Sequence, residues 1–296
     1  NYTAVYKVIM EDKFMGNINR PKLDSEDIEL MRKIGKHNFV DMIYIYKFYK
    51  TDCKKRTVNE RITQLAKHRY LSIIETFVPP EYTAKKKKGY KIVCLGAKGV
   101  EIMESIGVEA ELNLKKFKNA SGYRMYHQCQ VAMVCDSLEY EFKNSESKFE
   151  VAEIYNEKEG FIKETGNMPD AVILFRPKAE YLMSPKERYI VVFIEIERSY
   201  ASLRRFKSKI RSYENAIAEG TYIKHFDISA MAQRVLFVAQ TDGQFKTILD
   251  KINEAGYDDI DILVSKYSQT CNAPSGRIYT NPKNGEKYKL LSNLEV

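Results

Sequence analysis

The chain has 296 residues, of which 44% are hydrophobic and 30% are charged, enough for two globular domains with sizeable cores. No apolar run approaches the roughly 18 residues of a membrane span, and no signal-peptide pattern is visible, so we expect a cytoplasmic protein with no membrane contact. The five cysteines form no CxxC pair and are odd in number. We therefore expect reduced thiols and no zinc site.

The positive charge is concentrated in one part of the chain. The formal net charge of the chain is +8. Residues 1–121 contain 24 basic and 15 acidic residues, a balance of +9, whereas residues 122–296 contain 24 basic and 25 acidic residues, a balance of −1. An excess of basic charge in one region indicates a polyanionic partner for that region, and nucleic acid is the commonest. The second part of the chain needs a different explanation.

The first predicted elements are an arm and two helices. Residues 1–23 are interpreted as an N-terminal arm. At residues 24–27 the sequence Asp-Ser-Glu-Asp supplies a capping residue and first-turn acids, which predicts the start of a helix. Residues 41–49, dense in Ile, Phe and Tyr, predict a second helix.

The third helix carries the predicted DNA contacts. The sequence Thr-Val-Asn-Glu at residues 57–60 has the form of a capping box, and apolar residues follow on one helical face. The remaining positions carry donors and acceptors that can meet base edges and phosphates. The candidate DNA-contacting residues of this helix are Lys55, Arg56, Asn59, Arg61, Thr63, Gln64 and Lys67.

A hairpin with a basic tip follows. Two strands are predicted, over residues 70–78 and 90–95, and a helix over 98–106. The tip between the strands adds four candidate DNA-contacting residues, Lys85, Lys86, Lys87 and Lys88. Three helices followed by such a hairpin are the layout of a winged helix-turn-helix, in which the third helix enters the major groove and the wing contacts phosphate. We therefore expect residues 24–107 to bind double-stranded DNA; the alternative is a solvated lysine loop beside an amphipathic core helix.

Residues 108–121 are interpreted as a connection and residues 122–296 as a second domain. Two apolar, β-branched runs, at 168–175 and 189–197, predict buried strands. Asp170 opens the first run, and Glu195 and Glu197 end the second on one face because side chains alternate along a strand. Three converging carboxylates fit a divalent-metal site, and they equally fit two strands that end in solvent.

Other elements complete the second domain. A helix (123–142) and a strand (149–155) precede the acidic strands, and a basic helix (202–217) and a strand (234–239) follow them. A helix (244–255), a short strand (261–264) and a C-terminal hairpin around Asn284-Gly285 end the chain. We expect an α/β fold with a mixed sheet.

The order helix, strand, strand, strand, helix, strand resembles the core of the PD-(D/E)xK nuclease superfamily. The resemblance implies that Asp170 and Glu195 hold Mg²⁺ or Mn²⁺ if the site is active. The superfamily has a lysine where this chain has Glu197, which removes the ammonium that would activate water. Lys207 or Lys209 on the next helix could supply it instead. The candidate catalytic residues are therefore Asp170, Glu195, Glu197 and Lys209.

The combined pattern resembles the replication-relaxation proteins of plasmids and other mobile elements over about residues 24–240. The matching features are the winged-helix start, Pro169-Asp170, the sequence Glu-Ile-Glu at 195–197, and Lys209 followed four residues later by Tyr213. This resemblance implies DNA binding in replication, relaxation or transfer, with relaxase or replication proteins as partners. Residues 241–296 lie outside it.

Three functions fit these patterns. The first is a double-stranded DNA-binding factor whose nuclease-like domain is inactive and serves assembly, partner contact or non-catalytic DNA contact. The second is a metal-dependent endonuclease or nickase. The third is a winged-helix transcriptional regulator. The missing lysine at position 197 favours the first, and a homodimer is compatible with a winged helix.

Overall fold

The computed structural model describes residues 21–76, 89–108, 121–181, 188–197 and 202–292. The predicted wing lysines, nearly all of the predicted arm and most of the predicted connection lie outside the described residues. The chain divides into two compact units, Asn1–Ala132 (unit 1) and Met133–Val296 (unit 2). The division falls inside one helix, Gly122–Asn144.

Unit 1 combines helices with a small antiparallel sheet. In chain order its elements are α1 (Ser25–His37), β1 (Val40–Asp41), α2 (Met42–Phe48), α3 (Lys55–Lys67), β2 (Leu71–Thr76), β3 (Tyr90–Leu95), α4 (Ala97–Ser105) and the first part of α5 (Gly122–Asn144). The strands are ordered β1-β3-β2. The predicted helices and the two predicted strands are present. The two-residue strand β1 was not predicted, because two residues are too few for a periodic pattern.

The first helix begins as its sequence predicts. The Asp24 carboxylate accepts from the Asp27 amide at 2.9 Å, and the Asp27 carboxylate accepts from the Asp24 amide at 2.9 Å. This reciprocal pair is a capping box, which satisfies amides that the first helical turn leaves without partners.

The predicted capping box at residues 57–60 is wrong. Helix α3 begins at Lys55, and its N-cap Lys54 makes no side-chain capping bond. Thr57 is already inside the helix, and Glu60 pairs at 2.9 Å with Arg56. The extra residues join the helix because the Val58 amide donates to the Lys54 carbonyl and the Arg56–Glu60 pair has the favourable i,i+4 spacing.

A buried ion pair joins α1 to α3. The side chain of Asp27 is fully buried, and Arg61, 17% exposed, donates through its Nε to Asp27 Oδ1 at 3.2 Å and through a terminal nitrogen to Oδ2. The Tyr49 hydroxyl also donates to Asp27 Oδ1, at 2.5 Å. Arg61 further donates to the Lys22 carbonyl at 2.7 Å. Three segments distant in sequence, around Asp27, Tyr49 and Arg61, thus meet at one carboxylate.

Unit 2 is built on a seven-stranded mixed sheet. After the second part of α5 its elements are β4 (Phe149–Asn156), β5 (Ala171–Pro177), a 3₁₀ turn (Ala179–Tyr181), β6 (Tyr189–Glu197), α6 (Leu203–Ala218), α7 (Thr221–Phe226), β7 (Ala230–Ala239), α8 (Asp242–Ala255), β8 (Ile262–Lys266), α9 (Tyr267–Asn272), β9 (Tyr279–Thr280) and β10 (Lys287–Tyr288). The strand order is β10-β9-β8-β7-β6-β5-β4. Strand β7 runs parallel to β6 and β8, and the other neighbours are antiparallel.

The α/β class and the mixed sheet are therefore confirmed. Both acidic runs are central strands, and β6 lies between β5 and β7, which explains its unbroken Val, Ile and Phe sequence. The C-terminal hairpin is present as β9 and β10. The 3₁₀ turn, α7 and α9 were not predicted, because none exceeds six residues.

The alternation of side chains along β6 decides where its acids lie. Val191 and Phe193 pack in the core that contains Phe206 and Ile210 of α6. Glu195 and Glu197 continue the same alternation, so they lie on the sheet face covered by α6. The carboxylates are thus directed toward a helix and not toward open solvent.

We predict that Arg61→Met destabilises unit 1 by about 3–5 kcal/mol, because the buried Asp27 carboxylate would lose its cationic partner. Urea denaturation combined with hydrogen exchange at the amides of α1 and α3 measures the change. Arg56→Met is the matched control, because the Arg56–Glu60 pair is 88% and 63% exposed and such pairs contribute at most about 1 kcal/mol. Equal losses in the two variants would contradict the structural role of Arg61.

Candidate functional site

The candidate site of unit 2 lies at the end of β6, against α6. The side chain of Glu195 is 3% exposed and that of Glu197 is 12% exposed. Buried carboxylates require charged or hydrogen-bonding partners, since removing them from water is costly. Helix α6 supplies these partners.

Lys209 of α6 binds both glutamates, and Tyr213, one turn further along the helix, binds Glu195. The Lys209 ammonium donates to Glu195 Oε2 at 2.7 Å and to Glu197 Oε1 at 2.8 Å. The Tyr213 hydroxyl donates to the other oxygen of Glu195, Oε1, at 2.6 Å. We call these four residues the acid–lysine cluster. Both oxygens of Glu195 are therefore occupied by donors of the protein itself.

Asp170 lies just before β5 and is tied to the backbone of β6. Its amide donates to the Ile194 carbonyl at 3.0 Å, and its carboxylate Oδ2 accepts from the Ile196 amide at 2.7 Å. The side chain thus adds one hydrogen bond to the β5–β6 ladder, just before Ala171, the first residue of β5. Asp170 also acts on the cluster through its charge.

Burial raises the pKa of Glu195 from its ordinary 4.5 to about 7; the Lys209 ammonium opposes this shift, and the Asp170 carboxylate adds to it. For Lys209, burial opposes ionisation, yet the two glutamates raise its pKa above the ordinary value. Burial, reinforced by Glu195, also raises the pKa of Tyr213. The lysine is therefore a permanent cation and the phenol a permanent donor at neutral pH.

The residues present do not fit the divalent metal that the nuclease resemblance implies. Within the described ranges, no group of three or more His, Cys, Asp and Glu side chains is arranged to hold a metal ion. Glu195 Oε2 and Glu197 Oε1 share one ammonium, and Asp170 Oδ2 accepts from a backbone amide. A cation in this position already fills the role of compensating the acids. The ammonium cannot activate water as a base while it is held protonated between two carboxylates.

Most of the predicted DNA-contacting residues of α3 share an exposed surface. Exposed residues are Lys55, Arg56, Asn59, Thr63, Gln64 and Lys67. Among them, the Asn59 side chain accepts a hydrogen bond from the Tyr46 hydroxyl at 2.8 Å, and Thr63 donates to the Asn59 carbonyl at 2.8 Å. We call these six residues the α3 surface. The opposite side of the helix is buried through Val58, Ile62 and Leu65.

Arg61 stands apart from this set. Its guanidinium is engaged by the buried Asp27 carboxylate and by Gln64 Oε1 at 2.7 Å. The sequence identified it as a base-contacting arginine because its position faces away from the apolar stripe. Its partner lies 34 residues earlier, and residue spacing gives no signal for a contact of that kind.

In unit 2, sequence reasoning missed Arg234 as a buried ionic residue. It is 4% exposed, donates to Asp261 Oδ2 through Nε at 2.7 Å, and also donates to the Leu290 carbonyl. This arginine fixes the C-terminal segment to β7. The sequence feature that indicates this role is an arginine at the start of an otherwise apolar strand sequence, residues 235–239.

No helix in the part of the chain that the structure describes is long and apolar enough to cross a membrane.

Comparison with known proteins identifies no family for this chain. No protein-family model matches the chain, and a search of curated proteins found no match. Among solved structures, the chain is similar to the structure of restriction endonuclease FokI bound to DNA, with 13% sequence identity and a TM-score of 0.23. The similarity covers 83% of this chain and 43% of that chain, so this chain spans less than half of the FokI length. At this TM-score the similarity carries no argument about fold or function.

The raised pKa of Glu195 predicts a pH dependence of stability. Between about pH 4.5 and 7, the folded state keeps a proton on Glu195 that the unfolded chain releases, so the free energy of unfolding falls as the pH rises, by up to about 3 kcal/mol in total. Glu195→Gln removes this contribution. Denaturation of unit 2 at several pH values, beside the exposed-carboxylate control Glu254→Gln, measures it. An unchanged pH slope in Glu195→Gln would contradict the shift.

Proposed function

We propose that this chain is a double-stranded DNA-binding protein of a plasmid or other mobile element, acting in replication, relaxation or transfer. In this proposal unit 1 is a winged helix-turn-helix that recognises DNA. Unit 2 is a PD-(D/E)xK-like domain without nuclease activity, used for assembly or partner contact. Relaxase or replication proteins are the proposed partners, and the proposed location is the cytoplasm.

The observation that carries the proposal for unit 1 is the polar, exposed α3 surface on a helix whose other side is buried. Three helices precede a two-stranded pair, β2 and β3, whose connection includes the four lysines at residues 85–88. Basic and amide side chains on one exposed helical face provide donors for phosphates and base edges. The balance of +9 over residues 1–121 supports a polyanionic partner for this unit.

The observation that carries the proposal for unit 2 is the bridging position of Lys209. A nuclease of this superfamily needs carboxylates with free oxygens for a metal ion, and here an ammonium and a phenol occupy those oxygens. Glu197 at the position of the superfamily lysine agrees with a lost activity. The cluster then acts as a structural link between β6 and α6.

Neutralising the α3 surface tests the DNA-binding role. We expect Lys55→Gln, Arg56→Gln and Lys67→Gln, combined in one variant, to weaken binding to every double-stranded sequence. The slope of log binding constant against log salt should fall by up to about 2.7, because each lost phosphate contact removes about 0.9. Fluorescence anisotropy at several salt concentrations gives the slope.

The base-reading part of the same proposal is tested by Asn59→Ala. This change should alter the preferred DNA sequence at one position while leaving the salt slope unchanged, because Asn59 carries no charge.

The control for the triple α3 variant combines Lys224→Gln, Lys246→Gln and Lys287→Gln, which removes three exposed cations of unit 2. Binding of the α3 variant that equals binding of this control would contradict the proposed role of α3.

A further inference from the structure

A groove follows the outward face of α6 in unit 2. It has a volume of about 630 Å³, and Thr165 forms part of its wall. The rest of the groove is formed largely by cations and small polar residues of α6: Arg204, Lys207, Ser208, Arg211, Ser212 and Asn215. This face is distinct from the buried face of the helix, which carries Phe206 and Ile210 in the core.

The three cations form a stripe. Arg204, Lys207 and Arg211 are three and four residues apart, so their side chains project from one face with Cβ atoms about 5–6 Å apart. Arg204 and Arg211 are exposed, and Lys207 is half-buried. No carboxylate among the described residues pairs with any of the three, whereas Lys209 on the same helix contacts two. The stripe is therefore uncompensated positive charge at a concave surface.

Buried polar atoms without partners lie beside the stripe. Within the described ranges, Thr165 Oγ1 and Asn167 Nδ2 have no hydrogen-bond partner. Asn167 is 2% exposed, and its Oδ1 accepts a 3.4 Å hydrogen bond from Ser212, which lines the groove. Of the two residues, Thr165 belongs to the groove wall, and its unsatisfied hydroxyl favours a polar occupant of the groove. The stripe and these donors occupy the same side of α6.

The dimensions favour an extended anion over a single small one. Arg211 is seven positions after Arg204, which corresponds to about 10 Å along the helix axis. Cations spread over two turns of the helix can each contact a different phosphate of a nucleic-acid strand, so an extended polyanion uses all three charges. Residues 122–296 have a balance of −1, so an attraction to a polyanion in this region requires a local group of cations such as this stripe.

We propose that the α6 groove binds the phosphodiester backbone of double-stranded DNA, which gives unit 2 a non-catalytic, sequence-independent DNA contact. This inference rests on the proposed function, because it assumes that the chain binds DNA. It adds a second contact surface to the α3 surface of unit 1. The groove cations act as point charges and guanidinium donors on phosphate oxygens, without reading bases.

The test compares the full chain with two variants on one double-stranded DNA probe. The groove variant combines Arg204→Gln, Lys207→Gln and Arg211→Gln; the charge-matched control combines Lys224→Gln, Lys246→Gln and Lys287→Gln. We expect the groove variant to bind at least about tenfold more weakly at 0.15 M salt and to lose up to about 2.7 from the salt slope, and the control to keep both values. Because no substituted side chain is fully buried, both variants should unfold close to the temperature of the unmodified chain.

Each result decides between the claims. A groove variant with the affinity and slope of the control, while the unmodified chain binds DNA, overturns the groove proposal alone. A chain that does not bind double-stranded DNA overturns both the groove proposal and the proposed function. If the triple variant unfolds early, Lys207→Gln alone serves instead, and a slope reduced by about 0.9 supports the groove, whereas an unchanged slope overturns it.

Discussion

The ammonium of Lys209 between Glu195 and Glu197 is the interaction on which the candidate site of unit 2 depends. Strand β6 is central in the sheet, and its alternation directs both glutamates toward α6 into a nearly dry environment. Two carboxylates side by side there would repel each other and would be poorly solvated. One cation with two short hydrogen bonds, together with the Tyr213 hydroxyl, makes the arrangement stable. The same contacts occupy three carboxylate oxygens of Glu195 and Glu197, which a metal ion would otherwise need as ligands.

Much of this architecture could be predicted from local patterns. The long apolar strands β5 and β6, the amphipathic helix α6 and the Asn284-Gly285 hairpin have strong periodic or turn signals, and the structure confirms them. The convergence of Glu195 and Glu197 followed from the two-residue period of a strand. Which lysine of α6 meets them did not follow, since Lys207 and Lys209 both fitted the sequence. Only the helix rotation fixed by Phe206 and Ile210 in the core decides that Lys209 faces the acids and Lys207 faces the groove.

Long-range pairing explains the remaining differences. Arg61 has the residue type and spacing of a base-contacting arginine, but the acid at position 27 binds it across 34 residues. The local pattern at Thr57 predicts a helix cap there, whereas the helix begins at Lys55. For Arg61, a contact with a distant part of the fold determines the role of the side chain. For Thr57, an additional turn at the start of the helix moves the residue from the cap into the helix. Basic side chains thus occur in three environments in this chain. Arg61 pairs with the buried Asp27 carboxylate, and Lys209 pairs with Glu195 and Glu197. The basic residues of the α3 surface and the α6 groove face solvent or the groove.

The most direct test of the account is incubation of the full chain with supercoiled plasmid that carries the origin of a mobile element, with and without Mg²⁺ or Mn²⁺. A gel reads plasmid integrity beside a mobility-shift lane, and Glu195→Ala is run in parallel. We expect a shifted band with intact plasmid in every metal condition, because Lys209 and Tyr213 occupy the carboxylate oxygens. Metal-dependent nicking that disappears in Glu195→Ala would contradict it and would make the protein a metal-dependent endonuclease.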